Sequence, residues 1–199
     1  GKYAHDELVN EDPDVLRKDI LERVLAREGP QGIVRLARIA KLPNLIGPAL
    51  RLTSITKEQL LDLLEAALNP TAPGELAFYV SAVGAERYGE AWRAAFKKRS
   101  LRNFQNDSET ARLLLGWPLN EQTWTFVRDL GEGVNEEYWR HTHALPIHGT
   151  LDQLLFAVEE LRRRDRSLEV IGLLHLRLKE LPTSLIMSLL TEGQGQIAN

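Results

Sequence analysis

TKEQLLDLLEAAL, residues 56–68, reads as a helix from its first residue to its last. Thr56 carries an N-cap hydroxyl, and Gln59 three residues on completes a capping box. Leu60, Leu61, Leu63, Leu64, Ala67 and Leu68 recur at helical spacing but fill more than one side of the cylinder. Asn69-Pro70 ends the run, because proline disfavours helical backbone in the residue before it. A helix that is apolar on more than one side has to be covered by two neighbours. Stacked helical arrays meet that requirement, each hairpin burying its face on the next.

The same pattern extends in both directions. Toward the N-terminus, Asp12-Pro13 supplies an N-cap and a proline at the first helical position, and Gly29-Pro30 stops the helix. A second helix through Ile33, Val34, Leu36, Ala37 and Ala40 ends at Leu42-Pro43, and a short third one crosses Gly47-Pro48. Toward the C-terminus, the spacing predicts helices over 75–83 and 86–99, broken near Gly84, then 107–115, then one capped by Asn120. Gly131 and Gly133 separate that helix from VNEEYWRHTH, and helices over 150–164, 167–180 and from Pro182 follow. Residues 1–11 read as a flexible leader, 12–192 as one repeat-like domain and 193–199 as a frayed end. No segment alternates apolar and polar residues over a useful length, so strands are not expected. The fold class expected is all-α: an irregular array of antiparallel helical hairpins, solenoid-like or bundled, because short connections keep neighbours antiparallel.

Composition narrows the function classes. Apolar residues make up 43% of the 199, enough for a core, and the net charge is −3. Residues 1–100 carry 15 Lys and Arg against 14 Asp and Glu, and the rest 10 against 14, so neither half is basic enough for wholesale phosphate binding. The absence of cysteine removes disulfides, thiolate zinc sites and cysteine nucleophiles, and fits a cytoplasmic setting. No stretch approaches the roughly 18 apolar residues of a membrane span, and the opening GKYAHDELVNEDPD has no signal-peptide core. A chain that opens on Gly1 and holds Met187 as its single methionine is expected to be a segment of a longer protein.

Three clusters could carry chemistry. His141, His143 and His148 lie within eight residues, and imidazole is a good zinc or nickel ligand. Residues two apart on a helix point to different sides, so a polar turn is the favoured reading over a metal site. Arg162, Arg163, Arg164 and Arg166 form a basic cluster, with Lys97, Lys98, Arg99 and Arg102 elsewhere. Such clusters suit phosphate contact, and the first four are partner-binding candidates, but cations also favour the last turn of a helix, where these fall. Trp117, Trp124, Phe126, Tyr138 and Trp139 are an aromatic set expected to be mostly core, with Trp139 as the exposed exception and a partner-binding candidate. The chain has no phosphate-loop pattern, no GxGxxG, no HExxH and no GxSxG, so no catalytic residue and no cofactor is expected.

QGIVRLARIAKLPNLIGPAL (31–50) and TWTFVRDLGEGVNEEYWRHTHAL (123–145) are similar to segments of helical-repeat regions in very large bacterial proteins. The resemblance rests on Thr123, Trp124, Leu130, Gly131, Tyr138 and Trp139, and covers about a fifth of the chain. It resembles, in architecture, the tetratricopeptide and HEAT-like arrays attached to NTPase or effector domains of signalling and defence proteins. The resemblance implies a non-enzymatic interaction or scaffold module, with another protein or another domain of the parent chain as partner. Two alternatives stand beside it: a nucleic-acid-contacting domain using the arginines, and an unrecognised all-α metal-dependent enzyme using the histidines.

Overall fold

A computed structural model describes residues 12–40, 43–99, 106–146, 148–174 and 177–197. The leader expected over 1–11, Arg102 and the last two residues lie outside the described residues. Ten α-helices, and no strand, occur among the described residues, which establishes the all-α fold. None of these helices is long and apolar enough to cross a membrane. The stretch 12–192, expected as one domain, divides between two compact units, Gly1–Trp117 and Pro118–Asn199.

The first unit holds α1 (Pro13–Ile39), α2 (Ile46–Leu50), α3 (Lys57–Ala67), α4 (Gly74–Arg99) and α5 (Asp107–Leu114). The capping box at Thr56 and Gln59 is formed, each side chain bonding the other's backbone N–H. Leu60, Leu61, Leu63 and Leu64 are all 3% exposed or less, and α3 packs on both α1 and α4. The two-sided burial follows from the two-sided apolar pattern. Here the packing is interleaved: α1 meets α2 and α3, and α4 meets α2, α3 and α5.

Two glycines separate two kinds of constraint. The break expected at Gly29-Pro30 is a kink within α1, with Gly29 at φ +63°. The break expected near Gly84 falls instead at Gly89, whose φ is +49°. Gly84 stays helical, and the reason for a glycine there is space. A Cβ at Gly84 would lie 2.3 Å from Cε2 of Trp92, a side chain with no exposure at all.

The second unit holds α6 (Glu121–Asp129), α7 (Glu132–His141), α8 (Leu151–Arg162), α9 (Ser167–Leu173) and α10 (Thr183–Ile197). Its helices pack chiefly on their neighbours in sequence, α6 on α7, α7 on α8, α8 on α9 and α9 on α10. Two expectations need correction. The helix expected over 167–180 ends at Leu173, and a 3-10 turn at Leu178–Glu180 follows. Arg177 holds that turn, reaching Glu180 at 2.5 Å and the Gly149 carbonyl at 2.8 Å. The frayed end expected from 193 is helical as far as Ile197. Gly193 is buried where its backbone runs close to Leu168 and Ile171, so packing overrides glycine's poor helix propensity.

Candidate functional site

Three helix starts position a groove in the second unit. Asn120 accepts from the Thr123 N–H at 3.0 Å to start α6. Thr150 and Gln153 form a second capping box at 3.2 Å in both directions to start α8. α7 follows α6 after a two-residue link, Leu130 and Gly131, with Gly131 at φ +123°, a backbone state that glycine adopts without strain. One face of each helix then lines a groove of about 1110 Å³. From α6 come Glu121, Trp124, Thr125 and Arg128; from α7, Glu132, Asn135, Glu136, Trp139 and Arg140. α8 adds Asp152, Gln153, Phe156 and Glu160, and Arg163 at its C-cap completes that side. Each set follows three- and four-residue spacing, which places it on one side of its helix.

The floor is aromatic. The Phe156 ring stacks on Trp124 with centroids 5.0 Å apart and planes 26° apart. Trp139 closes the set, 5.8 Å from Trp124 and 6.0 Å from Phe156. Trp139 is only 2% exposed, so the expectation that it stands out of the core is overturned: α8 brings Phe156 over it. Phe156 takes the exposed role, at 40%. Beneath the floor lies Tyr138, fully buried, its ring edge-on to Trp139. The Tyr138 hydroxyl, Trp124 Nε1 and Thr123 Oγ1 are buried without a partner in hydrogen-bonding geometry among the described residues. Burial pushes the Tyr138 phenol up, with Trp124 and Thr142 pulling weakly the other way.

The arginine cluster is distributed over separate structural tasks. Arg166 donates to the carbonyl oxygens of Trp139 at 2.5 Å and Thr142 at 2.7 Å, and so closes the C-terminal end of α7. Its guanidinium also holds Glu169, which pairs with His143 Nδ1 at 2.8 Å. Burial alone would raise the Glu169 carboxyl, but hydrogen bonds from Arg166 and His143 outweigh it and the net shift is downward. Arg164, 12% exposed, bridges Glu136 and Glu160, both at 3.0 Å. Arg162 grips Glu192 at 2.5 Å, and that bond, with help from Ser167 and Ser188, lowers the Glu192 carboxyl to about 2. Arg163 is the most exposed of the four, at 63%, and pairs with Glu160 at 2.9 Å.

The histidines are not gathered. His141 lies 3.5 Å from Glu137, His143 joins Glu169 and Arg166, and His148 is exposed. No three metal-ligating side chains are grouped among the described residues. Glu121, Glu132, Asp152 and Arg128 line the groove on exposed positions, and none of them has an ion-pair partner among the described residues.

The chain matches no protein-family model, no curated protein and no solved structure.

The groove carried a sequence signal that the apolar pattern concealed. Leu151, Leu154, Leu155, Val158 and Leu161 define the apolar side of α8. Phe156 falls about 140° around the helix from Leu151, at roughly 100° per residue. A lone aromatic on a polar helical face is the feature that marks the site.

Proposed function

We propose that this protein is a non-enzymatic protein-interaction module in which the α6–α8 groove receives a segment of another protein, or of another domain of a longer parent chain. One observation carries the reading. Phe156 exposes 40% of its surface in a groove lined by three helical faces, while Trp124 and Trp139, in ring contact with it, are almost fully buried. An exposed aromatic backed by a rigid aromatic stack and ringed by polar side chains has the anatomy of an interaction hot spot. The neighbour-to-neighbour packing of α6 to α10 accords with the resemblance to tetratricopeptide and HEAT-like arrays, and so with a scaffold or sensor role in a bacterial signalling or defence protein. A cytoplasmic setting suits a chain without cysteine.

Contact with nucleic acid is the weaker reading, since Arg162, Arg163, Arg164 and Arg166 are each matched by a carboxylate. Metal-dependent catalysis lacks support from the separated histidines. Selection from a displayed random-peptide library tests the proposal. Enriched peptides should bind the wild type and lose about tenfold in affinity, or 1.4 kcal/mol, on Phe156→Ala. Enrichment that survives Phe156→Ala unchanged, or no enrichment at all, would contradict it.

A further inference from the structure

We infer that the segment the groove accepts is basic and amphipathic, an apolar anchor with a lysine or arginine within one helical turn of it. The inference rests on the protein-binding reading above and adds the chemistry of the partner.

It follows from which charges of the groove are already matched. Arg140, Arg163, Arg164 and Arg166 each have a carboxylate partner within the unit. Of the charges without an ion pair among the described residues, three are carboxylates, Glu121, Glu132 and Asp152, and one is the guanidinium of Arg128. The groove therefore presents an excess of negative charge to an incoming chain. Position matters as much as sign. Glu121 stands one helical turn before Trp124, and Asp152 one turn before Phe156, and those two rings are stacked at 5.0 Å. A carboxylate thus lies beside each ring of the stack. Acidic residues in a first turn also favour the helix dipole, and that accounts for their place in sequence. It does not account for their lining the same groove as the exposed ring.

A basic side chain suits this arrangement in both its parts. Its methylene stem lies along Phe156, and its cationic head reaches the carboxylates while remaining near the aromatic faces. An acidic segment would instead meet three unmatched carboxylates of like charge. The anchor residue of the segment covers the rest of Phe156.

Synthetic peptides about 15 residues long, some four helical turns, test this with the full chain. Three would share one leucine pattern and carry lysine, glutamine or glutamate at the remaining positions. Binding is read by fluorescence anisotropy at low and high salt. The Leu/Lys peptide should bind about tenfold more tightly than the Leu/Glu peptide at low salt, with the margin shrinking at high salt. Glu121→Lys with Asp152→Lys should reverse the order, and Phe156→Ala should weaken every peptide. Glu75→Lys with Glu90→Lys, an equal change of net charge at exposed sites in the first unit, should leave the order unchanged. Circular dichroism checks each variant, and Glu121→Gln with Asp152→Asn, which should abolish the preference, replaces the reversal if that variant fails to fold. Equal affinity of the three peptides, all lost on Phe156→Ala, would overturn the charge inference and leave the protein-binding reading standing. An effect of the Glu75 and Glu90 changes as large as that of the groove changes would show bulk attraction and overturn it. Failure of every peptide to bind would overturn both readings.

Discussion

Arg162 and Glu192 join the end of α8 to α10 through a two-pronged contact at 2.5 and 3.1 Å, with Ser167 of α9 adding a third bond at 2.6 Å. Because the folded state holds the Glu192 carboxyl at about 2, against an ordinary 4.5, it binds its proton less readily than the unfolded chain does. The contact's contribution to stability is therefore complete above about pH 4.5 and fades as pH falls toward 2. Glu192→Gln should melt below the wild type at pH 7, and the two melting curves should converge near pH 2. A gap that stays constant with pH would contradict this assignment. The aromatic floor makes a second prediction at the same scale. Trp124 and Trp139 are 5% and 2% exposed, so alanine at either should cost about 3–5 kcal/mol, measured by denaturant unfolding. A loss below about 1 kcal/mol for Trp139→Ala would return that residue to the surface role its sequence suggested. Burial of Trp124 and Tyr138 was legible because both fall on apolar helical faces. Burial of Trp139 was not, since it depends on α8 delivering Phe156 from seventeen positions away in the chain.

At the scale of elements, the helices were legible wherever caps and breakers coincide with the apolar period. Asp12-Pro13, Thr56 with Gln59, and Asn120 each start a helix as their chemistry dictates. Glycine misled where its two uses look alike in sequence. Gly84 makes room for Trp92, and Gly89 supplies the left-handed backbone of the kink. The two should behave differently on substitution. Gly84→Ala forces a methyl into a rigid indole and should cost about 1–3 kcal/mol, part of it recovered when Trp92→Phe is added. Gly89→Ala strains the backbone by a similar amount, about 1–3 kcal/mol, and should add to Trp92→Phe without recovery. Double-mutant cycles on urea unfolding separate them, and equal coupling in both cycles would show that the two glycines serve one purpose. The end of α9 at Leu173 was not legible either, because the apolar spacing continues through Leu174 and Leu178 while Arg177 draws the chain into a tight turn.

For the whole molecule, the change of unit falls after Trp117, inside the Gly116-Trp117-Pro118 stop that the sequence marks as one turn among many. Local pattern identifies such a turn but not which helices lie on the far side of a boundary, since that depends on contacts distant in sequence. Each unit has its own buried residues: Leu60, Leu64, Trp92 and Phe96 in the first, Val127, Tyr138, Leu154 and Leu161 in the second. A chain of residues 118–199 should accordingly fold alone, with far-UV circular dichroism dominated by helix and a cooperative thermal transition. A featureless coil spectrum from that chain would contradict the independence of its core. The groove on α6 to α8 is the feature on which the functional account depends. Its most direct test is amide NMR of the full chain titrated with the Leu/Lys peptide. The account predicts shifts concentrated on the groove faces of α6, α7 and α8, centred on Phe156 and Asp152. Shifts centred on the first unit or on α10, or none at saturating peptide, would contradict it.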